Sequence, residues 1–147
     1  MKEIRITKLT PKATLPTRGS VEAAGYDLYA VADENITIEP HKTELIHTGL
    51  SIEIPDGYFG GIYARSGIAL KQGLRPANCT GVIDSDYRGE IMVALHNDTD
   101  YPKTVEDGMR IAQLIIQGYV PVKFIISDEE LSKTERGNGG FGHSGIK

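Results

Sequence analysis

Residues 45–54, LIHTGLSIEI, carry the alternation of apolar and polar side chains that decides the fold. A period of two places every second side chain on one face of a β-strand, whereas an amphipathic helix needs apolar residues three and four positions apart. We therefore predict that this stretch is a strand and that one of its faces packs against a core.

Runs of the same kind recur along most of the chain. Near-alternation opens the sequence at Ile4, Ile6 and Leu9 and returns at Ile36 and Ile38. Further strand-like runs cover residues 59–64, 91–95, 111–116 and 120–126. Turn residues such as those at 55–57 and 107–108 separate them at the spacing typical of a sandwich or barrel. The pattern therefore predicts an all-β fold.

Helix is expected in one short segment, residues 66–72. Ser66 is suited to cap the first turn, Ala69 and Leu70 favour helix, and Gly73 is suited to end it.

Length and composition predict one β domain over residues 1–135, followed by a tail over residues 136–147. The length of 147 residues suits a single domain with a sizeable core. The tail, RGNGGFGHSGIK, is rich in glycine and has too few apolar side chains to pack as a strand. We expect it to be mobile.

Charge and cysteine content narrow the possible partners and compartment. A net charge of −4 gives no basic field that would draw the protein onto nucleic acid or an anionic membrane. Cys79 is the single cysteine, the N-terminal residues lack the apolar run of a signal peptide, and no apolar stretch is long enough to span a bilayer. We expect a cytoplasmic protein, or a nuclear one if the source is eukaryotic.

Five segments, in order, resemble the motif set of the trimeric dUTPase family: AAGYDLYA (23–30), ARSGIAL (64–70), GVIDSDYRGE (81–90), GMRIAQLI (108–115) and RGNGGFGHSG (136–145). One short match would be weak, but five in the family order cover essentially the whole chain. The resemblance implies a jelly-roll-like β-barrel or sandwich with one short helix. It also implies a homotrimer whose active sites each draw residues from all three subunits.

The activity implied by the resemblance is the hydrolysis of dUTP to dUMP and pyrophosphate with Mg²⁺. Water would attack the α-phosphorus in line. Such an enzyme limits the incorporation of uracil into DNA and supplies dUMP for thymidylate synthesis.

The segment GVIDSDYRGE is laid out as a β-hairpin, with polar residues between an apolar approach and an apolar exit. On its residues alone it could be an ordinary polar turn. The resemblance implies a uracil slot between the hairpin arms, in which main-chain groups pair with the base. Gly81, Val82, Ile83 and Met92 would line this slot, and Asn78 would bind the base edge.

Two side chains of the same segment carry the chemistry and the sugar selection implied by the resemblance. The Asp84 carboxylate would orient the attacking water and accept its proton. The Tyr87 ring would pack beneath the deoxyribose and leave no room for a 2'-hydroxyl. Without the motif, Tyr87 could be an ordinary cross-strand aromatic residue.

The segment ARSGIAL is expected to bind phosphate. Arg65 supplies a forked cationic donor, Ser66 a hydroxyl, and Gly67 lets the main chain approach phosphate oxygens. The resemblance places Ser66 near the oxygen that bridges the α- and β-phosphates. Gln113 would bind the catalytic water or an α-phosphate oxygen, although it could also be a strand glutamine facing a neighbouring subunit.

Asp27 in AAGYDLYA is the expected metal residue. A lone aspartate on a strand is more often a solvated carboxylate than a ligand. Mg²⁺ keeps most of its waters and is held by few carboxylates. The resemblance implies that Asp27 contacts Mg²⁺ through a coordinated water.

The tail is expected to close over the site of another subunit. The resemblance implies that Arg136 reaches the γ-phosphate, that Phe141 stacks on the uracil, and that Gly142 permits close contact with phosphate. Asn138 and His143 depart from the commonest family wording, which leaves the detailed contacts of the triphosphate open.

Two other functions remain possible at this point. A dCTP deaminase shares the fold, and a non-catalytic nucleotide-binding module could retain it. Asp84 and Tyr87 stand in the dUTPase arrangement, which favours the pyrophosphatase over the deaminase. A non-catalytic module would have no physical need for all five of Asp84, Arg65, Ser66, Arg136 and Phe141.

Overall fold

The computed structural model describes residues 3–140, which form eleven short strands and one helix. The elements are β1 Arg5–Lys8, β2 Tyr26–Tyr29, β3 Ile36–Ile38, β4 Thr43–His47, β5 Leu50–Glu53, β6 Tyr58–Tyr63, α1 Ser66–Gln72, β7 Leu74–Pro76, β8 Thr80–Ile83, β9 Met92–Asn97, β10 Lys103–Val105 and β11 Arg110–Gly118. The all-β prediction with one short helix is confirmed.

The strands pair into two larger sheets and two small ones. The order is β2-β11-β6-β8 in the four-stranded sheet and β4-β9-β7 in the three-stranded sheet. β1 pairs with β5 and β3 with β10, and all of these pairings are antiparallel. Leu28 and Ile111 of the four-stranded sheet share one buried cluster with Leu74 and Leu95 of the three-stranded sheet. The core therefore lies between these sheets, as in a sandwich.

The run at residues 45–54 is not one strand, because it divides at Gly49 into β4 and β5. Gly49 has a φ of 66°, and a Cβ there would lie 2.6 Å from Thr10 Cγ2 and 2.9 Å from the Ala13 Cβ. β4 then pairs with β9, whereas β5 pairs with β1. The predicted alternation survives the break, since the even-numbered positions from Ile46 to Ile54 are all buried. One amphipathic pattern thus continues through β4 and β5, which belong to different sheets.

The strand predicted at residues 120–126 is wrong. β11 ends at Gly118, and residues 119–140 form no strand. Phe124 and Ile126 are 92% and 95% exposed. An apolar run forms a strand only where an edge or a core surface covers it, and the described part of this chain does not cover these side chains. We call residues 119–140 the arm.

The helix prediction is confirmed for α1, but the predicted cap is not. Arg65 occupies the N-cap position without a side-chain capping bond, and Ser66 is already helical. Gly73 ends the helix in the left-handed region, where its N–H donates to the carbonyl of Ala69. Over residues 3–140 no helix has the length and apolar character needed to cross a membrane.

Asn97 is a buried polar side chain that joins the end of β9 to the end of β3 and to the loop that follows β9. Its Nδ2 donates to the carbonyls of Ile38 (3.0 Å) and Tyr101 (2.8 Å). Its Oδ1 accepts from the N–H of Thr99 at 2.9 Å. Because the side chain is fully buried, water cannot replace these bonds.

We therefore expect Asn97→Ala to lower the free energy of unfolding by about 2–4 kcal/mol, because it leaves buried carbonyls unpaired and opens a cavity. Urea denaturation at one protein concentration measures this. Asn138→Ala, at an exposed asparagine of the arm, is the matched control and should have little effect. Equal effects of the two substitutions on the free energy of unfolding would contradict a stabilising role of the Asn97 hydrogen bonds.

Candidate active site

Four residues lie in one row across the four-stranded sheet. Asp27 of β2 is opposite Gln113 of β11, Gln113 is opposite Tyr63 of β6, and Tyr63 is opposite Thr80 of β8. Directly opposite residues of antiparallel strands project from the same face of a sheet. The register therefore places Asp27 and Gln113, from different predicted motifs, side by side.

The Gln113 side chain connects the first and second motifs. Its Nε2 donates to the carbonyl of Ala64 at 2.8 Å, and its Oε1 lies where a side chain on Gly25 would have to be. Gly25 is thus required by the close approach of this amide. The site prediction for Gln113 is compatible with this position, but one of the two N–H groups of its amide already has a main-chain acceptor in the described chain.

Arg65 follows β6 and lies at the same end of the sheet, where it forms an ion cluster with Asp27. Its Nε donates to Asp27 Oδ1 at 2.6 Å, and its Nη1 to the carbonyl of Arg110 at 3.4 Å. The guanidinium of Arg110 completes the cluster, with Nη1 3.3 Å from Asp27 Oδ2. The Asp27 side chain is 13% exposed. One carboxylate therefore orients two cations at this end of the sheet.

Arg110 is a member of this ion cluster that the sequence analysis missed. The signal was present, since Arg110 lies in the segment GMRIAQLI three positions before Gln113. Its contact with Asp27 depends on the pairing of β11 with β2, which a local pattern does not reveal.

Ser66 and Gly67 lie on open surface beside the ion cluster. Both residues are exposed at the start of α1. A Cβ built on Gly67 would meet nothing within 4 Å among the described residues. Packing within the chain therefore does not explain this glycine, and the space beside it is open to a ligand.

The predicted hairpin over GVIDSDYRGE is wrong. β8 pairs with β6, and β9 pairs with β4 and β7 in the other large sheet. Met92 in β9 stands opposite His47, so it is not a partner of Val82 or Ile83 across a hairpin. A local pattern shows two strands and a turn but not which strands pair.

β8 is nevertheless suited to the predicted main-chain contact with a base, because it is an edge strand. Every second residue of an edge strand directs its N–H and C=O away from the sheet, where another group can pair with them. Gly81 is buried against Ile62, and the Asn78 amide lies beside it, with Nδ2 3.4 Å from the position of a Cβ on Gly81. Asn78 and Val82 are exposed.

Asp84 and Tyr87 are the first and last residues of a turn after β8. The N–H of Tyr87 donates to the carbonyl of Asp84 at 3.2 Å. The Tyr87 hydroxyl donates to the carbonyl of Glu90 at 2.9 Å, and its ring lies so close over Gly89 that a Cβ there would collide with it. Asp84 is exposed, and Tyr87 is 39% exposed. Both side chains are available to a ligand.

The described chain does not bring Asp84 and Ser66 together. Thr80 begins β8 at the end of the sheet where Arg65 lies, whereas Asp84 follows the other end of that strand. Four residues of extended chain separate the Cα atoms of Thr80 and Asp84 by about 13 Å. The two halves of the predicted site therefore lie toward opposite ends of one strand.

The predicted tail residues are only partly described. Arg136 is exposed, and its Nε donates to the carbonyl of Gly139 at 2.8 Å within the arm. Phe141 and Gly142 lie outside the described residues, as does His143.

An apolar groove of about 470 Å³, lined by Ile6, Tyr26 and Leu114 among others, contains none of the predicted site residues.

Known proteins resemble this chain over nearly its whole length. A family profile described as dUTPase matches residues 11–145. The chain is 46% identical over 152 residues to the deoxyuridine 5'-triphosphate nucleotidohydrolase of Histophilus somni (strain 2336), and both chains are covered in full. It is also 46% identical over 144 residues to the protein of that name from Caldanaerobacter subterraneus subsp. tengcongensis, covering 98% of this chain and 97% of the relative.

This chain belongs to the dUTPase family.

A solved dUTPase structure shares the fold of this family member. The dUTPase of Staphylococcus bacteriophage 80alpha, solved with dUpNHpp, superposes with a TM-score of 0.90 at 29% identity and covers 99% of this chain and 100% of its own. The predicted membership and the jelly-roll-like fold are confirmed. The profile spans all five motif segments, the last of which ends at Gly145.

In this dUTPase the ion cluster should also stabilise the fold. We expect Asp27→Ala to lower the free energy of unfolding by about 2 kcal/mol, because two guanidinium groups lose their shared counterion. The cost of breaking a fully buried pair would be larger, but the Arg110 side chain is half-exposed.

Denaturation at fixed protein concentration checks this. Asp33→Ala is the control, since the pair of Asp33 with Lys12 has an aspartate side chain that is 95% exposed. This substitution should leave stability nearly unchanged. If Asp27→Ala lowered the free energy of unfolding as little as the control, the ion cluster would contribute nothing to stability.

Proposed function

We propose that this dUTPase hydrolyses dUTP to dUMP and pyrophosphate by in-line attack of water at the α-phosphorus. The observation that carries the proposal is the gathering of Arg65, Gln113 and Ser66 at one end of the four-stranded sheet, in a chain of this family. Release of pyrophosphate from dUTP is the direct test.

Arg65 is the principal phosphate donor. Asp27 and the carbonyl of Arg110 hold its Nε and Nη1, while Nη2 makes no hydrogen bond to the described residues. A guanidinium fixed on one side in this way loses little freedom when its other side binds a phosphate. The Ser66 hydroxyl, exposed beside it, stabilises the charge that develops on the leaving pyrophosphate.

Asp84 orients the attacking water and accepts its proton. The carboxylate is exposed at the end of β8 and makes no side-chain bond to the described residues that would have to break first. A general base must stand within hydrogen-bond reach of the water, so Asp84 and Ser66 have to act on the same α-phosphate. Gln113 binds that water or an α-phosphate oxygen.

Uracil and deoxyribose are selected at β8 and the turn after it. Within the stretch Gly81, Val82 and Ile83, the main-chain groups that face away from β6 pair with the base, Asn78 binds its edge, and Met92 lines the slot from the neighbouring sheet. Cytosine would leave main-chain groups unpaired because its amino group replaces the O4 acceptor. The Tyr87 ring packs against the sugar and excludes a 2'-hydroxyl.

Magnesium, which the family implies, fits this site only through water. Both oxygens of Asp27 already accept from arginines, and the described residues contain no group of three or more His, Cys, Asp or Glu side chains that could hold a metal. Mg²⁺ is usually held by substrate phosphates and few carboxylates. A metal-bound water can use a remaining lone pair of Asp27. When bound, the ion would neutralise negative charge on the triphosphate.

The active sites are shared within a homotrimer. Asp84 and Ser66 must meet on one α-phosphate, yet about 13 Å of strand separates the ends of the sheet near which they lie. A second subunit supplies the missing half if the Asp84 end of one chain faces the Ser66 end of the next. The arm supports this assembly, because it exposes Val120, Phe124 and Ile126 and such an apolar surface is typical of an interface.

The tail completes the site. We propose that Arg136 binds the γ-phosphate, that Phe141 stacks on the uracil and that Gly142 lets the main chain approach phosphate, all in the site of another subunit. Exclusion of bulk water by such a lid strengthens each electrostatic contact inside.

The geometry gives no support to dCTP deamination. The glutamate of the third motif, Glu90, directs its carboxylate to the N–H of Gly49 and the ring of His47. It is therefore engaged elsewhere and unsuited to act as a base on a ligand bound beside β8.

Asp84→Asn tests the assignment of the general base. The amide keeps the shape but lacks the basic oxygen, so we expect turnover to fall by about two to four orders of magnitude while dUTP binding is largely preserved. Single-turnover pyrophosphate release and calorimetric titration with a non-hydrolysable dUTP analogue measure the two quantities. Turnover close to that of the unmodified enzyme would remove Asp84 from this role.

Mixed trimers test the sharing of sites. Asp84→Asn and Ser66→Ala trimers should each be nearly inactive, but refolding them together should restore activity in hybrids that pair an intact Asp84 with an intact Ser66. Random mixing of equal amounts forms about a quarter of all sites from two intact halves when the closed trimer has three equivalent interfaces.

Native mass spectrometry must show that the hybrids exist, and each variant refolded alone is the control. Hybrids without restored activity would mean that each site is built from one chain. The hydrolysis reaction itself would remain supported in that case.

A further inference from the structure

Glu90 is the last residue of the third motif, and both oxygens of its carboxylate form hydrogen-bond contacts outside the proposed phosphate site. Its Oε1 accepts from the N–H of Gly49 at 2.7 Å, and its Oε2 lies 2.8 Å from Nδ1 of His47. The carboxylate is 21% exposed. It thus spans from the loop after β8 to the turn between β4 and β5.

These contacts favour the ionised carboxylate. Burial by itself raises the pKa of Glu90, but the hydrogen bond with His47 and the N–H groups of Gly49 and Thr48 outweigh burial and hold the pKa below the ordinary value of 4.5. At neutral pH, Glu90 is therefore an anion that accepts hydrogen bonds from a tight turn.

Two hydrogen bonds fix the segment around Glu90 to β5, the strand that follows this turn. The Ser51 hydroxyl donates to the carbonyl of Arg88 at 2.8 Å, and the N–H of Ile91 donates to the carbonyl of Leu50 at 2.7 Å. These bonds hold the residues on either side of Gly89 and Glu90. The Ile91 N–H belongs to the same peptide group as the Glu90 carbonyl, so its bond to Leu50 and the contacts of the Glu90 carboxylate together fix that carbonyl.

Tyr87 depends directly on that position. Its hydroxyl donates to the main-chain carbonyl of Glu90 at 2.9 Å, and its ring packs over Gly89. The carboxylate therefore acts on the tyrosine through its own residue's carbonyl. Displacement of Glu90 would move the acceptor that holds the outer end of the ring.

We propose that Glu90 is a positioning residue that fixes the Tyr87 ring and thereby sets the discrimination between deoxyribose and ribose. The inference rests on the proposed function, in which Tyr87 excludes the 2'-hydroxyl. Steric exclusion of one oxygen atom works only while the excluding group cannot yield, since a shift of about 1 Å relieves such a clash. Glu90 itself does not touch the substrate.

The discriminating measurement is the ratio of kcat/KM for UTP to kcat/KM for dUTP. A general loss of structure lowers both constants together and leaves their ratio unchanged, so the ratio reports on the ring and not on folding. Glu90→Ala should raise it about tenfold, within the range by which one small group is discriminated in a pocket. Glu90→Gln keeps an oxygen that can accept from Gly49 and should keep the ratio within about threefold of the original.

Glu53→Ala is the matched control. Glu53 lies on β5 and pairs with Arg5 and Arg88. The substitution therefore removes a nearby carboxylate that contacts neither Gly49 nor the Tyr87 hydroxyl. It should leave the ratio unchanged. An equal rise with Glu53→Ala and Glu90→Ala would overturn the specific role of Glu90.

Tyr87→Phe tests the same link from its other end, with little risk to folding. It removes the hydroxyl that donates to the Glu90 carbonyl and should raise the ratio in the same direction. Adding Glu90→Ala to Tyr87→Phe should then have less effect than Glu90→Ala alone, because both substitutions break one chain of contacts. Should Glu90→Ala fail to fold, an unchanged ratio in Tyr87→Phe would still overturn the proposal.

Tyr87→Ala separates the failure of this inference from failure of the proposed function. If Tyr87→Ala leaves the ratio unchanged, sugar selection by Tyr87 is wrong and the role of Glu90 falls with it. If Tyr87→Ala raises the ratio while Glu90→Ala and Tyr87→Phe do not, only the role of Glu90 is overturned.

Discussion

The pairing register of β6 between β11 and β8 is the constraint on which the rest of the site depends. It aligns Asp27, Gln113, Tyr63 and Thr80 in one row, and the segment that leaves β6 then delivers Arg65 to the end of that row. A slip of one residue would turn each side chain of a strand to the opposite face of the sheet. The buried apolar faces of β6 and β11 prevent such a slip, so the core protects the geometry of the proposed phosphate site.

Electrostatics at that end are local. The chain is acidic overall, and its net charge would repel a triphosphate. The Asp27 carboxylate instead holds Arg65 and Arg110 close to one another. Two cations this near repel each other unless an anion lies between them. Asp27 therefore makes a compact positive site possible on a negative protein, while its own charge is balanced by the arginines.

The proposed base and sugar site depends on a different set of contacts. Among residues 3–140, β8 leaves one edge unpaired, which offers main-chain donors and acceptors. The turn after β8 is anchored from outside its own sheet by the contact of Glu90 with Gly49. Gly49 thus has two functions, since the break it introduces between β4 and β5 also presents the N–H that Glu90 binds. The exposed positions of Asp84 and Ser66 and the uncovered arm are consistent with sites completed by neighbouring subunits.

The sequence by itself determined the all-β class, the helix at α1 and the membership of the dUTPase family. These depend on local alternation, on a glycine stop and on short motifs, all of which are written along the chain. Only the tertiary structure decided which strands pair. It replaced the expected hairpin of β8 and β9 with two strands in separate sheets, divided residues 45–54 at Gly49, and left residues 120–126 uncovered. It also brought Arg110 to Asp27 and Glu90 to Gly49, contacts across 83 and 41 positions. Pairing over such separations is set by the burial of whole faces in a common core, and no local window of sequence contains that information.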